Sequence, residues 1–144
     1  VSIEKRPLNY YLGSAQVIEV ILPRNSRIQV KDIARMPIKA QRILFKTSSF
    51  PDPQKWNSDF VALSGELVDY LSSKNVKLVG IDTPSIDPAE DKALESHNAI
   101  FKNNMAILEG IVLDKVPEGV YQLIALPLKI EGADATPVRA VLLK

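Results

Sequence analysis

The stretch Val76-Lys77-Leu78-Val79-Gly80-Ile81, followed by Asp87-Pro88-Ala89-Glu90 and then by Met105-Ala106-Ile107-Leu108-Glu109-Gly110-Ile111-Val112-Leu113, decides the fold class. Its first segment is apolar on both faces, which marks a strand covered on both sides. Asp87, Pro88 and Glu90 supply a cap, a first-turn proline and an early acidic residue, so a helix is expected from there to about Lys102. Asn103-Asn104 stops that helix, and Met105 to Leu113 returns as a strand. Strand, helix and strand in this order predict an α/β unit with a sheet buried under helices.

Working outward, Ala15 to Leu22 is short, β-branched and closed by Pro23, and Arg42 to Thr47 is similar, so both are expected strands. Ser64 to Ser73 is expected to be a helix, with Ser64 as N-cap and Leu67, Val68 and Leu71 as its apolar stripe. Val120 to Leu128 and Pro137 to Leu143 are the last expected strands. Pro51-Asp52-Pro53 marks a loop ahead of Trp56 and Phe60, aromatics that pack on the core edge or line an aromatic pocket. The fold class is therefore α/β, with a mixed sheet and helices packed on it.

At 144 residues, with 46% hydrophobic and 24% charged residues, the chain has the makings of one globular domain. A formal net charge of +1 gives no electrostatic reason to expect nucleic acid or an anionic membrane. There are no cysteines, which excludes disulfides, thiolate nucleophiles and cysteine-based zinc sites. No apolar run approaches the roughly 20 residues needed to cross a bilayer, and no signal peptide is recognisable, so a cytoplasmic location is expected.

His97 is the only histidine. On an ideal helix its neighbours three and four positions away are Ala93, Leu94, Ile100 and Phe101, which places the imidazole on the apolar stripe. It is either a core histidine with a satisfied hydrogen bond or a ligand. Glu109 bears on that choice. Strand alternation puts it with Met105, Ile107 and Ile111, in a strand that reads as buried. A carboxylate there must be protonated, paired with a Lys or Arg, or metal-bound. Imidazole nitrogen plus carboxylate oxygen suits Zn²⁺ or Mn²⁺, but a catalytic zinc normally takes three protein ligands. Asp82 reads as a turn or cap residue and Asp87 as a helix cap. Arg139 is expected to pair with Glu109 or Asp134, or to reach solvent.

Leu78-Val-Gly-Ile-Asp-Thr-Pro-Ser-Ile-Asp-Pro88, Leu94-Glu-Ser-His97, Ile107-Leu-Glu-Gly110, Tyr121-Gln-Leu-Ile-Ala-Leu-Pro-Leu128 and Gly132-Ala-Asp-Ala-Thr-Pro-Val-Arg-Ala140 together resemble the cyclase family of metal-dependent hydrolases, and within it the bacterial kynurenine formamidases. The resemblance covers nearly the whole chain from Gly13 onward. It implies a swivelling β/β/α fold, a homodimer or higher homo-oligomer, and a site holding two metals, commonly zinc. It further implies His97 and Glu109, twelve residues apart, as metal ligands. The implied reaction is hydrolysis of N-formyl-kynurenine, a small-molecule amide, to kynurenine and formate in tryptophan breakdown.

Two departures stand out. Members often carry adjacent histidines, and here the second position is Asn98. The family's other ligands lie in an N-terminal His-x-x-x-His-x-Asp motif, which a chain with one histidine lacks. The expectation is therefore a single domain over residues 1–144 without that N-terminal segment, and with no catalytic acid or base of its own. The alternatives are a relative acting on another amide, cyclic amide or lactone, and a non-catalytic oligomeric binding module without metal.

Overall fold

The computed structural model describes residues 1–144. Two single 3-10 turns, Ile3–Lys5 and Leu8–Tyr10, lead into β1 (Leu12–Glu19), β2 (Arg27–Ile28), α1 (Val30–Ile33), β3 (Arg42–Lys46), β4 (Ala62–Leu63) and α2 (Gly65–Ser73). There follow β5 (Leu78–Ile81), α3 (Glu95–Lys102), β6 (Ala106–Leu108), β7 (Gly119–Ile124) and β8 (Val141–Leu143). Six strands form one mixed sheet in the order β6-β5-β3-β1-β7-β8, and β2 pairs with β4 in a small second sheet. β6, β5, β3 and β1 run parallel, in register Leu78↔Ala106, Ile43↔Val79 and Val17↔Leu44. β7 and β8 continue the sheet antiparallel, with Ala15↔Tyr121 and Leu123↔Leu142. This is the mixed α/β architecture expected.

Strand alternation sorts the core into two layers. Ile18, Ile43, Phe45, Val79 and Ile81 face the helices, where Leu67, Val68 and Leu71 of α2 and Ala99 and Ile100 of α3 close over them. Val17, Leu44 and Leu78 point the other way and join Tyr11, Tyr121, Leu123 and Leu108. No helix covers this second layer, which borders a groove of about 1160 Å³ lined mostly by apolar side chains. Gly80 is needed on that face: a Cβ there would come within 2.4 Å of the Leu44 side chain. At the start of β3, the buried Arg42 guanidinium donates to the carbonyls of Asn9, Tyr10 and Ser14, tying the second 3-10 turn to the sheet.

The helix start at Asp87 is corrected. Residues 87 to 94 are not helical, and α3 begins only at Glu95. Asp87 does cap a helix, but from a distance: its carboxylate accepts the backbone N–H groups of Ser96 and His97 in the first turn of α3. The residue in the N-cap position, Leu94, has no capping side-chain bond and sits at φ 50°, a left-handed conformation costly for leucine. The strand from Met105 is also shorter than expected. It closes at Leu108 because Gly110, at φ 68°, turns the chain, and its N–H goes to the Thr83 carbonyl.

Ser64 caps α2 as expected, its hydroxyl accepting the Leu67 N–H at 3.1 Å. The short β2, β4 and α1 carry too few residues to show a period, and sequence reasoning missed them. No helix is long and apolar enough to cross a membrane.

Candidate functional site

The parallel strands β3, β5 and β6 end on one edge of the sheet, at Thr47, Asp82 and Glu109. In parallel sheets the carboxyl ends of the strands are where sites form, because loops diverge there and leave a crevice. Glu109 stands just past the end of β6. His97 stands in the first turn of α3, whose N-terminus points to the same edge.

The two residues meet. His97 Nε2 lies 3.4 Å from Glu109 Oε1, and that oxygen also accepts the Ile86 N–H at 2.9 Å. On its other side the ring is held by Asp87, with Nδ1 2.7 Å from Oδ2. Asp87 is fully buried, whereas the His97 and Glu109 side chains are each about one-third exposed, at 33% and 30%. The imidazole is thus fastened at Nδ1 and open at Nε2.

The electrostatics follow from this placement. The Glu109 carboxylate beside Nε2 raises the His97 pKa against the opposing effect of burial, and Asp87 adds to the rise, so it reaches about 9. Burial pushes the Asp87 carboxyl up, but the Arg27 guanidinium and the N–H groups of Ser96 and His97 outweigh it and bring it to about 2. Arg27 donates from Nη1 to Asp87 Oδ1 at 2.8 Å and from Nη2 to Asp91 Oδ2 at 2.6 Å.

Two readings of these residues need correction. His97 is not on a core-facing stripe: Ala93 and Leu94 precede the helix, Phe101 is 83% exposed, and the buried face consists of Ser96, Ala99 and Ile100. Glu109 is not buried in a strand; it is exposed at the strand's tip, where it faces histidine rather than a Lys or Arg. Asp82 is structural, as expected: it accepts the N–H groups of Thr47 and Ser48 and the Thr47 hydroxyl, joining the ends of β3 and β5. Arg139 is exposed and forms no ion pair. Phe60 is buried and stacks edge-on with Phe50 and Trp56, while Trp56 itself is 63% exposed. Neither lines the groove that reaches His97 and Glu109. Sequence reasoning did not connect Asp87 or Arg27 with His97. The proline after Asp87 was the misleading signal, since it matched a local helix start.

The donor set suits a divalent metal. Two ligands each about 2.0–2.1 Å from one ion, at a tetrahedral angle, are about 3.4 Å apart. The separation of His97 Nε2 from Glu109 Oε1 is 3.4 Å. A carboxylate on the far nitrogen is the usual support of a metal-binding imidazole. No third His, Asp or Glu joins the pair in this chain.

Comparison with known proteins adds three findings. The Cyclase family model matches residues 1–88. A protein described as a "potential metal-dependent hydrolase with cyclase activity" superposes with a TM-score of 0.88 at 31% identity, over 99% of this chain and 70% of its own. A "predicted metal-dependent hydrolase" from Bacillus stearothermophilus gives 0.83 at 32% identity, over 94% of this chain and 65% of its own. Isatin hydrolase A from Ralstonia solanacearum shares the fold, with a TM-score of 0.79 at 22% identity, over 99% of this chain and 64% of its own.

Proposed function

The chain belongs to the cyclase family, and from that premise we propose that it serves a metal-dependent hydrolase of a C–N amide bond, of the arylformamidase type that converts N-formyl-kynurenine to kynurenine and formate. The observation that carries this reading is the facing pair His97 Nε2 and Glu109 Oε1, 3.4 Å apart, at the carboxyl edge of the parallel strands. These two side chains would hold the ion, zinc or manganese by donor type. When bound, such an ion polarises the amide carbonyl and lowers the pKa of water from 15.7 toward about 7.

The rest of the work assigned to this chain is binding and orientation. Glu109 is braced by the Ile86 N–H, and His97 is fastened by Asp87. The groove of about 1160 Å³ reaches both residues and is lined by apolar groups such as Leu108, Ile111 and Leu113, which suits the aromatic part of a substrate. Assembly as a homodimer or higher oligomer, in the cytoplasm, belongs to the same reading and is testable by sedimentation.

A second reading is favoured by the isatin hydrolase likeness: isatin is a cyclic amide, and the same donor pair would serve its ring opening. The deciding experiment loads the protein with Zn²⁺ or Mn²⁺ and offers N-formyl-kynurenine and isatin in parallel. Turnover of the first supports the arylformamidase assignment, and turnover of the second alone replaces it. Metal bound with neither hydrolysed would sink both, leaving a binding module.

A further inference from the structure

Arg27 lies on the two-stranded sheet, outside the main sheet that carries the site, yet it ends at the buried carboxylate behind His97. Its Nη1 donates to Asp87 Oδ1 at 2.8 Å and to the Leu63 carbonyl at 2.6 Å, while Nη2 donates to Asp91 at 2.6 Å. Asp87 divides its two oxygens. Oδ1 takes Arg27 and the Ser96 N–H, and Oδ2 takes the His97 N–H and the His97 ring. Capping α3 requires only the two backbone N–H groups. The ring contact adds nothing to the cap, and it is the shortest of the bonds Asp87 makes.

The fold also accepts a cost for this arrangement. Leu94 adopts a left-handed conformation, and the cap is delivered from eight residues upstream of the helix.

We propose that Arg27 is a positioning residue for the metal-ligand pair, acting through Asp87 to fix the direction of the His97 ring and the nitrogen that carries its proton. With Oδ1 engaged by the guanidinium, Oδ2 is left aimed at Nδ1. The proton of the neutral ring then stays on Nδ1, and the Nε2 lone pair is presented toward Glu109. Without Arg27 the carboxylate keeps only the Ser96 and His97 N–H groups, and its hold on the ring's direction and proton loosens. The effect on metal affinity rests on the function proposed above; the effect on the ring does not.

The single histidine makes this measurable, because an isotope-labelled chain gives one imidazole nitrogen pair by NMR. The spectrum is followed upward in pH until the ring nitrogen shifts stop changing, so that the neutral ring is the form read. In the parent chain the proton is expected on Nδ1. In Arg27→Gln, with folding checked by circular dichroism, a mixture with the Nε2–H form is expected, and calorimetric Zn²⁺ affinity should fall about 10- to 100-fold. Arg27→Lys keeps the charge without the two-pronged geometry and should restore the tautomer only in part.

A folded Arg27→Gln chain with its proton still on Nδ1 overturns the proposal, whatever zinc does. Should that variant not fold, Asp87→Asn gives the same readout: its amide would donate to Nδ1 and drive the proton to Nε2, and an unmoved proton would overturn the proposal equally. A tautomer that shifts in chains that take up no zinc, the parent included, supports the role of Arg27 and removes the metal function instead.

Discussion

One oxygen of Asp87 holds both the main chain and the side chain of His97: Oδ2 is 3.0 Å from the His97 backbone nitrogen and 2.7 Å from ring Nδ1. The start of α3 and the direction of its histidine are therefore set together. The opposite ring nitrogen faces Glu109, so the metal-free imidazole lies between two carboxylates.

That position makes stability depend on pH in two windows. The His97 pKa rises from 6.5 to about 9, so its contribution is complete below 6.5 and is lost as pH climbs through about 9. The Asp87 pKa falls from 3.8 to about 2, so its contribution is complete above 3.8 and is lost as pH drops through about 2. Urea unfolding of the metal-free protein should show a plateau between these windows and a decline on either side. His97→Gln should remove the part of the alkaline decline between 6.5 and 9; an unchanged alkaline limb would show that the ring is not held by its carboxylates.

Glu109→Gln keeps the shape of the side chain and removes its charge. The variant should stay folded, but its stability at neutral pH should fall, because the Glu109 carboxylate is the largest cause of the raised His97 pKa. Zinc affinity should fall at least tenfold, because an amide oxygen is a poor replacement for a ligating carboxylate. Equal zinc content in the two proteins would reject Glu109 as a ligand.

Gly80→Ala tests the packing of the groove face. Its Cβ would lie 2.4 Å from Leu44 Cδ2, a methyl that must turn within the groove it lines to make room. Overpacking of this kind costs about 1–3 kcal/mol, visible as a lower denaturation midpoint with an unchanged slope.

Phe101 and Ile100 are neighbours on α3 with opposite fates. Ile100 is buried under the sheet, and Phe101 is 83% exposed. Ile100→Ala should cost about 2–5 kcal/mol, while Phe101→Ser should change stability by no more than about 0.5 kcal/mol. Similar losses for both would mean that the helix is rotated from the position described.

Much of the fold was legible in the sequence because its elements announce themselves locally. The apolar runs at Arg42–Lys46 and Leu78–Ile81 specify buried strands by composition, and Ser64 with the Leu67, Val68 and Leu71 stripe specifies α2. The residues alone left His97 open between core histidine and ligand; the family resemblance paired it with Glu109, and the fold brings the two to 3.4 Å. Only tertiary structure decided where α3 begins, how short β6 is, and which face of the helix His97 takes. The local signal at Asp87-Pro88 points to a helix start there, but Asp87 gains more as a buried acceptor for Arg27, Ser96 and His97 than as a cap for its own next turn. Its partners at positions 27, 96 and 97 are brought together by two separate elements, β2 and α3, and no short window of sequence contains them all.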